Sequence, residues 1–293
     1  MSAKNRPERE LLPPGGTARS AKGAPVSSKR APAGAGDRSG EVLLARDDAV
    51  ATVTLARTAK ANALDLPLLD ALERVLDVID RDPAVKVMIL ASSSPKFFCA
   101  GGDIAAWGAL SPREMADRWI RDGHRIFDRL AGLRQPTIAA IEGIAYGGGL
   151  ELAACCDLRV AGADARFALP EATVATAPGW GGTQRVLRLI GTSRTKRLAF
   201  TGTPIGATTA LAWGLVDEVA AAGEALGAAR ALAADIARAS ALSVQLAKQM
   251  IDAQATGQSV VALDAMAAAV TLAGPDAAEA RAAFRERRKP RFE

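Results

Sequence analysis

Residues 136–162 read PTIAAIEGIAYGGGLELAACCDLRVAG, and this stretch decides the fold class. Its first eight residues and residues 156–162 are short apolar runs, which are typical of buried parallel strands. Between these runs, three glycines in a row precede a segment that predicts the start of an apolar helix. A strand, a helix and a second strand in this order predict a βαβ unit with a right-handed crossover.

The alternation of strands and helices continues on both sides of this stretch. Upstream we predict a hairpin about an Asp-Asp turn at 41–57, a helix at 66–80, a strand at 86–92, a loop at 92–103 and a helix entered at Ser111. After about residue 205 the pattern predicts that the strands stop and that 204–220, 225–256 and 276–289 are Ala-rich and helical. The sequence therefore predicts an α/β core at 41–205 and a C-terminal helical subdomain at 206–293.

Residues 1–40 have a different composition, rich in Gly, Pro, Ala, Ser and charge. They hold eight basic and three acidic side chains, which is the whole net charge of +5. Such a segment buries too little apolar surface to order itself, so we predict a disordered basic tail. The basic composition also allows an organellar transit peptide, which the prolines and glycines disfavour. The remaining chain is neutral on average, which argues against a nucleic-acid-binding protein.

Several classes of protein are disfavoured by what the sequence contains. No apolar run approaches the roughly 20 residues that cross a bilayer, and the start has no secretory h-region. The three cysteines are an odd number and there is one histidine, which argues against a disulfide framework, a zinc site and a Ser-His-Asp triad. We expect no metal, no membrane partner and a reducing cytoplasm.

Two glycine-containing loops and two glutamates carry the chemistry. The loops are CAGGDI (99–104) and YGGGLEL (146–152), and each follows a run of apolar residues. One backbone N–H from each loop would bind a developing oxyanion. Glu151 and Glu171 beside such a site would suit a general base and a general acid. Each glutamate taken alone is more often a first-turn helix residue or a solvated loop charge.

Four segments taken together carry a family resemblance. They are FFCAGGDI, GIAYGGGLELAACCDLRVAG, RFALPEATVATAPGWGGTQRVLRLIG and FTGTPIGATTALAWGLVDEV. In order and spacing they resemble the enoyl-CoA hydratase/isomerase (crotonase) superfamily over residues 41–291, and enoyl-CoA hydratases most closely. The resemblance implies an α/β fold, a crotonase-like superhelix of stacked ββα turns with a C-terminal helical trimerisation subdomain. It also implies a homotrimer, often paired into a hexamer.

The resemblance further implies a reaction and its residues. The N–H groups of Gly102 and Gly148 would form the oxyanion hole for an acyl-CoA thioester. Glu151 would activate water, Glu171 would protonate the α-carbon, and the backbone of Gly179 would help to place the water. The reaction would be the reversible syn addition of water to a trans-2-enoyl-CoA, giving a 3-hydroxyacyl-CoA. No cofactor is implied beyond the coenzyme A of the substrate.

The resemblance also assigns coenzyme A-binding positions, which are Lys60, Ala61, Ala100, Asp103, Ile104, Phe284 and Arg287. Phe284 and Arg287 would cover coenzyme A, in some relatives from a neighbouring subunit. The chain departs from the common pattern at Ala105, Leu169 and Ala175, and it adds Trp107 and Trp180 near the expected acyl site. These departures leave the acyl preference open.

Two alternatives to a hydratase remain open at this stage. The first is another crotonase reaction: a Δ3-Δ2-enoyl-CoA isomerase, an acyl-CoA hydrolase or a decarboxylase. Many isomerases keep a carboxylate only at the second position, so the presence of both glutamates favours the hydratase. The second alternative is a non-catalytic or nucleic-acid-binding relative, which would have lost a glutamate or gained a basic folded surface.

Overall fold

The computed structural model describes residues 42–292. The predicted disorder of residues 1–40 therefore lies outside the described residues. The strands, in chain order, are β1 (Val42–Asp47), β2 (Val50–Leu55), β3 (Val87–Ser92), β4 (Phe97–Cys99), β5 (Thr137–Ile141), β6 (Ile144–Tyr146), β7 (Leu158–Gly162), β8 (Arg166–Ala168), β9 (Ile205–Gly206) and β10 (Glu218–Ala220).

These strands form a large and a small sheet. The large sheet has the order β1-β2-β3-β5-β7-β10, and the small sheet has the order β4-β6-β8-β9. The predicted hairpin is confirmed, since β1 and β2 pair antiparallel and the other pairs of the large sheet are parallel. Strands β3, β5 and β7 of the large sheet are each followed by a strand of the small sheet and then by a helix. The predicted repeat of ββα turns is therefore present.

The helices, in chain order, are α1 (Leu66–Arg81), α2 (Ile104–Trp107), α3 (Pro112–Glu114), α4 (Arg121–Ala131), α5 (Gly148–Ala153), α6 (Gly182–Thr201), α7 (Ala207–Trp213), α8 (Ala225–Ala237), α9 (Ala241–Ala255), α10 (Val261–Ala273) and α11 (Pro275–Glu286). A π-helical turn, Met115–Ile120, joins α3 to α4. The side chain of Asp65 caps α1 by accepting a hydrogen bond from Leu68 N at 2.9 Å. The predicted helix at 66–80 is thus confirmed.

The large sheet is covered on both faces, which explains its continuous apolar strands. Along β3 the side chains alternate: Met88 and Leu90 lie in the main core, whereas Val87 and Ile89 face the other side. On that second side α8 packs its small residues Ala225, Ala229 and Ala233 against the sheet. A strand that is buried on both faces reads as an apolar run, as the sequence of 86–92 does.

Two of the expectations about strands are wrong. The segment 92–103 is not entirely loop, because β4 lies within it and pairs with β6. The strands do not stop at residue 205, because β9 follows α6 and β10 extends the large sheet beside β7. β4, β6, β8 and β10 have three residues each, which is too short for a period of two to stand out. The boundary near residue 205 itself stays a prediction.

Within residues 42–292, no single helix is both long and apolar enough to cross a membrane. The helices α10 and α11, bent by 74° at their junction, reach the length and composition only as a pair.

Candidate active site

The five residues predicted for catalysis line one pocket. Its volume is about 60 Å³, and it is bounded by both glutamates and by Gly102, Gly148 and Gly179. Its apolar lining includes Trp107, Trp119 and Trp180, together with Met115 and Ile120. The five predicted residues, which lie up to 77 positions apart in the sequence, thus meet at one small cavity.

The two glycine loops meet because the strands before them are neighbours. β4 and β6 pair in parallel, so the loops that follow them leave the same edge of the small sheet. Leu64 secures the first loop, since its N–H donates to Gly101 O at 2.7 Å and its carbonyl accepts from Asp103 N at 2.8 Å. A methyl group placed on Gly148 would lie 3.5 Å from Gly102 N.

The N–H groups of Gly102 and Gly148 are available to a ligand. Within the described part of the chain, neither donates a hydrogen bond to a protein acceptor. At Gly148 this is expected, because the first N–H groups of a helix have no partner within the helix. Two adjacent, uncommitted N–H donors beside this pocket suit the binding of a thioester oxygen on which negative charge develops.

Gly147 sets the entry into α5 and makes room for Glu171. Its φ of 50° and ψ of −124° are unfavourable for residues with a side chain. Its N–H donates to Ala168 O at 2.9 Å, and a methyl group here would lie 3.1 Å from Glu171 Oε1. The turn directs α5 so that Glu151 faces the pocket from the first helical turn.

Glu151 is buried and held by backbone donors. It is 2% exposed, and its Oε1 accepts hydrogen bonds from Trp180 N at 2.9 Å and Gly182 N at 2.7 Å. Burial raises the pKa of Glu151, and the N–H groups of Gly182 and Trp180 oppose that rise. The donors fix the carboxylate in position and favour its charged form.

Glu171 has a different environment. It follows β8 at the start of a 3-10 turn, Glu171–Val174, and both of its carboxylate oxygens are buried without a hydrogen-bond partner among residues 42–292. Burial raises the pKa of Glu171 to about 7; the backbone N–H of Glu171 itself opposes that rise, and the negative charge of Glu151 adds to it. A carboxyl group with this pKa is readily protonated near neutral pH and suits proton transfer.

Five of the predicted coenzyme A positions lie in two segments that are joined to each other. Ala100 N donates to Ala61 O at 3.0 Å, which ties the loop after β4 to the turn that contains Lys60. Asp103 caps α2 and pairs with Arg57 at 2.8 Å, so its carboxylate is engaged within the protein. Lys60 is exposed, and Ile104 is 56% exposed beside the pocket loop.

The structure does not bring Phe284 and Arg287 to this pocket. Phe284 lies on α11 and is 85% exposed, and Arg287 ends that helix with a φ of 54°. Neither residue lines the cavity around the two glutamates. Their contribution to binding coenzyme A stays a prediction.

Arg57 is a positioning residue that the sequence reasoning missed. Its guanidinium donates to Ala63 O at 2.7 Å and to Asp103 at 2.8 Å, and it pairs with Asp65 at 2.9 Å. It therefore joins the segment after β2, the cap of α1 and the loop after β4. The arginine stands at a strand end just before a predicted helix, but its partner Asp103 is 46 residues away in the sequence.

The π-helical turn supplies the other residues that sequence reasoning missed. Met115, Trp119 and Ile120 all come from this turn and line the pocket. Single π-turns inside helices are rare and are frequent at functional sites. The Ser-Pro entry at 111–112 predicted a regular helix here, and a one-residue widening of the helix leaves no clear mark in the sequence.

Comparisons with known proteins agree with this geometry. The family model described as enoyl-CoA hydratase/isomerase matches residues 45–293. A probable mitochondrial enoyl-CoA hydratase 2 of Arabidopsis thaliana is 38% identical over 252 residues, which is 85% of this chain and 83% of that protein. The short-chain-enoyl-CoA hydratase of Clostridium acetobutylicum is 36% identical over 250 residues, which is 85% of this chain and 95% of that one.

A solved structure agrees as well. The crystal structure of an enoyl-CoA hydratase from Bacillus anthracis superimposes with a TM-score of 0.82 at 33% identity, covering 86% of this chain and 98% of the other. The stacked ββα turns and the glutamate pocket beside two glycine loops therefore define an α/β enzyme of the crotonase type. The chain belongs to the enoyl-CoA hydratase/isomerase family.

Proposed function

We propose that the protein catalyses the reversible syn addition of water to a trans-2-enoyl-CoA, which yields a 3-hydroxyacyl-CoA. The observation that carries the proposal is the pairing of two buried carboxyl groups, Glu151 and Glu171, in one pocket with two uncommitted backbone N–H groups. The names of the curated relatives at 36–38% identity support the same general reaction.

The first step is polarisation of the thioester. The N–H groups of Gly102 and Gly148 donate to the thioester oxygen and stabilise the negative charge that forms there as the enolate develops. Donors that are fixed before the reaction need no reorganisation, and their effect is strong where water is excluded. Trp119 and Trp180, which are 4% and 3% exposed, shield this side of the pocket from solvent.

The second step moves two protons. Glu151, charged and held by Trp180 N and Gly182 N, removes a proton from water, whose oxygen forms the bond to C3. The electrons of the C2=C3 double bond move onto the enolate, and neutral Glu171 donates its proton to C2. Glu151 then carries a proton that Glu171 lacks, and proton exchange restores the starting state. Gly179, which also lines the pocket, offers its backbone to the water.

Coenzyme A would lie along the joined segments of Lys60, Ala61, Ala100, Asp103 and Ile104. Because the side chain of Asp103 is engaged by Arg57, we propose that the backbone of this loop makes the contacts. The proposed reaction consumes only water and the thioester. Phe284 and Arg287 would meet coenzyme A from a second copy of the chain.

We also propose a homotrimer or a pair of trimers, working in the cytoplasm. The supporting observation is a stripe of exposed apolar side chains along α10, namely Leu263 at 39%, Met266 at 64% and Val270 at 48% exposure. Light scattering during size exclusion should give three or six times the chain mass of 30.3 kDa. A monomeric mass at micromolar concentration would contradict the proposal.

The reaction itself is tested with crotonyl-CoA. Hydration removes the conjugated double bond, so ultraviolet absorbance of the enoyl thioester should fall and 3-hydroxybutyryl-CoA should appear. A 3-enoyl-CoA offered in parallel tests the isomerase alternative, since isomerisation would create the conjugated absorbance. A protein that binds CoA thioesters but hydrates none of any chain length would refute the proposed function.

A further inference from the structure

Three of the four tryptophans of the chain surround the proposed oxyanion hole. A methyl group placed on Gly148 would lie 2.7 Å from Trp180 Cζ3, and one on Gly102 would lie 3.0 Å from Trp119 Cζ2. The same position at Gly102 is 3.5 Å from Trp107 and 3.7 Å from Trp180. The indoles therefore stand against the Cα atoms of the two glycines that would hold the thioester.

Trp180 is held in this position by a hydrogen bond and by contacts with other aromatic rings. Its Nε1 donates to Trp119 O at 2.9 Å, and its ring lies 5.2 Å from the rings of both Trp119 and Phe127. A methyl group on Gly123 of α4 would lie 2.2 Å from Trp180 Nε1, so this glycine provides the space for the indole. Trp180 is 3% exposed.

The space left beside the glutamates is small. A water molecule occupies about 30 Å³ of liquid, or about 10–15 Å³ of probe-occupied cavity volume. The cavity of about 60 Å³ therefore has room for a few groups of that size. The reacting water takes one of these places. What remains suits C2, C3 and a substituent as small as a methyl group.

We infer that Trp180 determines acyl specificity by closing the pocket to chains much longer than that of crotonyl-CoA. This inference rests on the proposed hydratase function and names its substrate class, the short-chain trans-2-enoyl-CoA thioesters. The residue acts through two separable groups: its backbone N–H holds Glu151, and its indole limits the acyl chain. Replacing the side chain therefore tests whether the indole limits acyl-chain length, while the backbone N–H that donates to Glu151 is retained.

The test compares kcat/KM for oct-2-enoyl-CoA with that for crotonyl-CoA. A hydrophobic pocket discriminates by about 10-fold or more for one surplus methylene, and octenoyl-CoA has four more methylenes than crotonyl-CoA. The wild-type protein should favour crotonyl-CoA by at least about 10²-fold. Trp180→Ala should raise the octenoyl-to-crotonyl ratio by at least about tenfold. Trp213→Ala, which removes a tryptophan outside the pocket, should keep the wild-type ratio.

The outcomes separate this inference from the function on which it rests. Wild-type protein that hydrates octenoyl-CoA as well as crotonyl-CoA overturns the inference and leaves the hydratase proposal intact. A folded Trp180→Ala variant with an unchanged ratio overturns it as well. If the alanine variant does not fold, Trp180→Phe carries the test, with a smaller rise in the ratio. Absence of turnover with every enoyl-CoA refutes the proposed function instead.

Discussion

Glu151 and Glu171 face one pocket from two sides, and the structural elements around the two carboxylates differ. The wall of Glu151 is α5 and the loop that leads into α6, where two backbone N–H groups reach one carboxylate oxygen. Glu171 begins a 3-10 turn whose residues 172–174 are exposed, yet its carboxylate oxygens are buried and have no hydrogen-bond partner among residues 42–292. Both carboxyl groups are desolvated, so burial alone does not distinguish them. The two groups differ in the hydrogen-bond donors that reach each carboxylate.

The difference explains how two identical side chains can take opposite roles. Donors favour the charged form of a carboxylate, and their absence in a buried site favours the neutral form. Pairs of titratable groups whose environments differ in this way are a general sign of acid–base division. The proposed base is the glutamate with donors, and the proposed acid is the one without.

The largest expected effect comes from replacing either carboxyl group by an amide. Glu151→Gln and Glu171→Gln should each lower kcat for crotonyl-CoA hydration by at least about 10²-fold, because each removes one proton transfer. Steady-state rates measured by loss of enoyl absorbance give the effect. Wild-type rates in either variant would remove that residue from the mechanism and refute the division into a base and an acid.

The next effect concerns the close packing of Gly182 against the Glu151 side chain. A methyl group on Gly182 would lie 2.3 Å from Glu151 Cγ, so Gly182→Ala must displace the carboxylate. Misplacement of a catalytic group by about 1 Å costs about 10² in rate. We expect a fall of that order in kcat, with a KM for crotonyl-CoA close to the wild-type value.

The matched control for this variant is Gly227→Ala on α8. Its added methyl group would meet only Glu224 Oε2, at an ordinary 3.4 Å. This variant should keep its activity and gain a little stability, since alanine is the better helix residue. Equal activity of the two glycine variants would show that the carboxylate tolerates displacement.

Much of this arrangement could be predicted from the sequence, and the reason is local. The three glycines before Glu151 and the loop at 99–104 signal backbone geometry, which neighbouring residues determine. Arg57 and Trp119 gave no such signal, because their roles depend on Asp103 and Trp180, which lie 46 and 61 residues away. The strands β4 and β10 were missed because three residues show no periodicity. The meeting of Gly102 with Gly148 and Glu151 was predicted through the family resemblance, whereas contacts between distant segments outside the resembling motifs were beyond residue patterns.

A stability measurement would sharpen the contrast between the two carboxyl groups. The pKa of Glu171 rises from 4.5 to about 7 on folding, so the folded state holds this proton to higher pH than the unfolded chain. The associated stability is complete below pH 4.5 and is lost as the pH rises to about 7. A shift of this size corresponds to about 3 kcal/mol at most.

At pH 8 the free energy of unfolding of Glu171→Gln should therefore exceed that of the wild type by up to about 3 kcal/mol. At pH 4 the two should not differ in this way. Burial raises the pKa of Glu151 as well, but Glu151→Gln should gain less, because an amide oxygen is a weaker acceptor than a carboxylate for the N–H groups of Trp180 and Gly182. Urea unfolding at both pH values measures the difference. Equal stabilities of the two amide variants at pH 8 would mean that the environments of the Glu151 and Glu171 carboxylates do not differ as proposed.

The smallest effect is the pH dependence of the reaction near neutrality. In the proposed mechanism the active form of the free enzyme has Glu171 protonated, and the pKa of Glu171 is about 7. Above that pH the proton is lost, so kcat/KM for crotonyl-CoA should fall by about tenfold for each further pH unit. The two carboxyl groups interact, so this limb belongs to the pair that shares the proton, and the dehydration reaction should show it too. A kcat/KM profile that stays flat to pH 9 would mean that the free enzyme loses no catalytic proton near pH 7, and Glu171 would then not be the acid of the proposed mechanism.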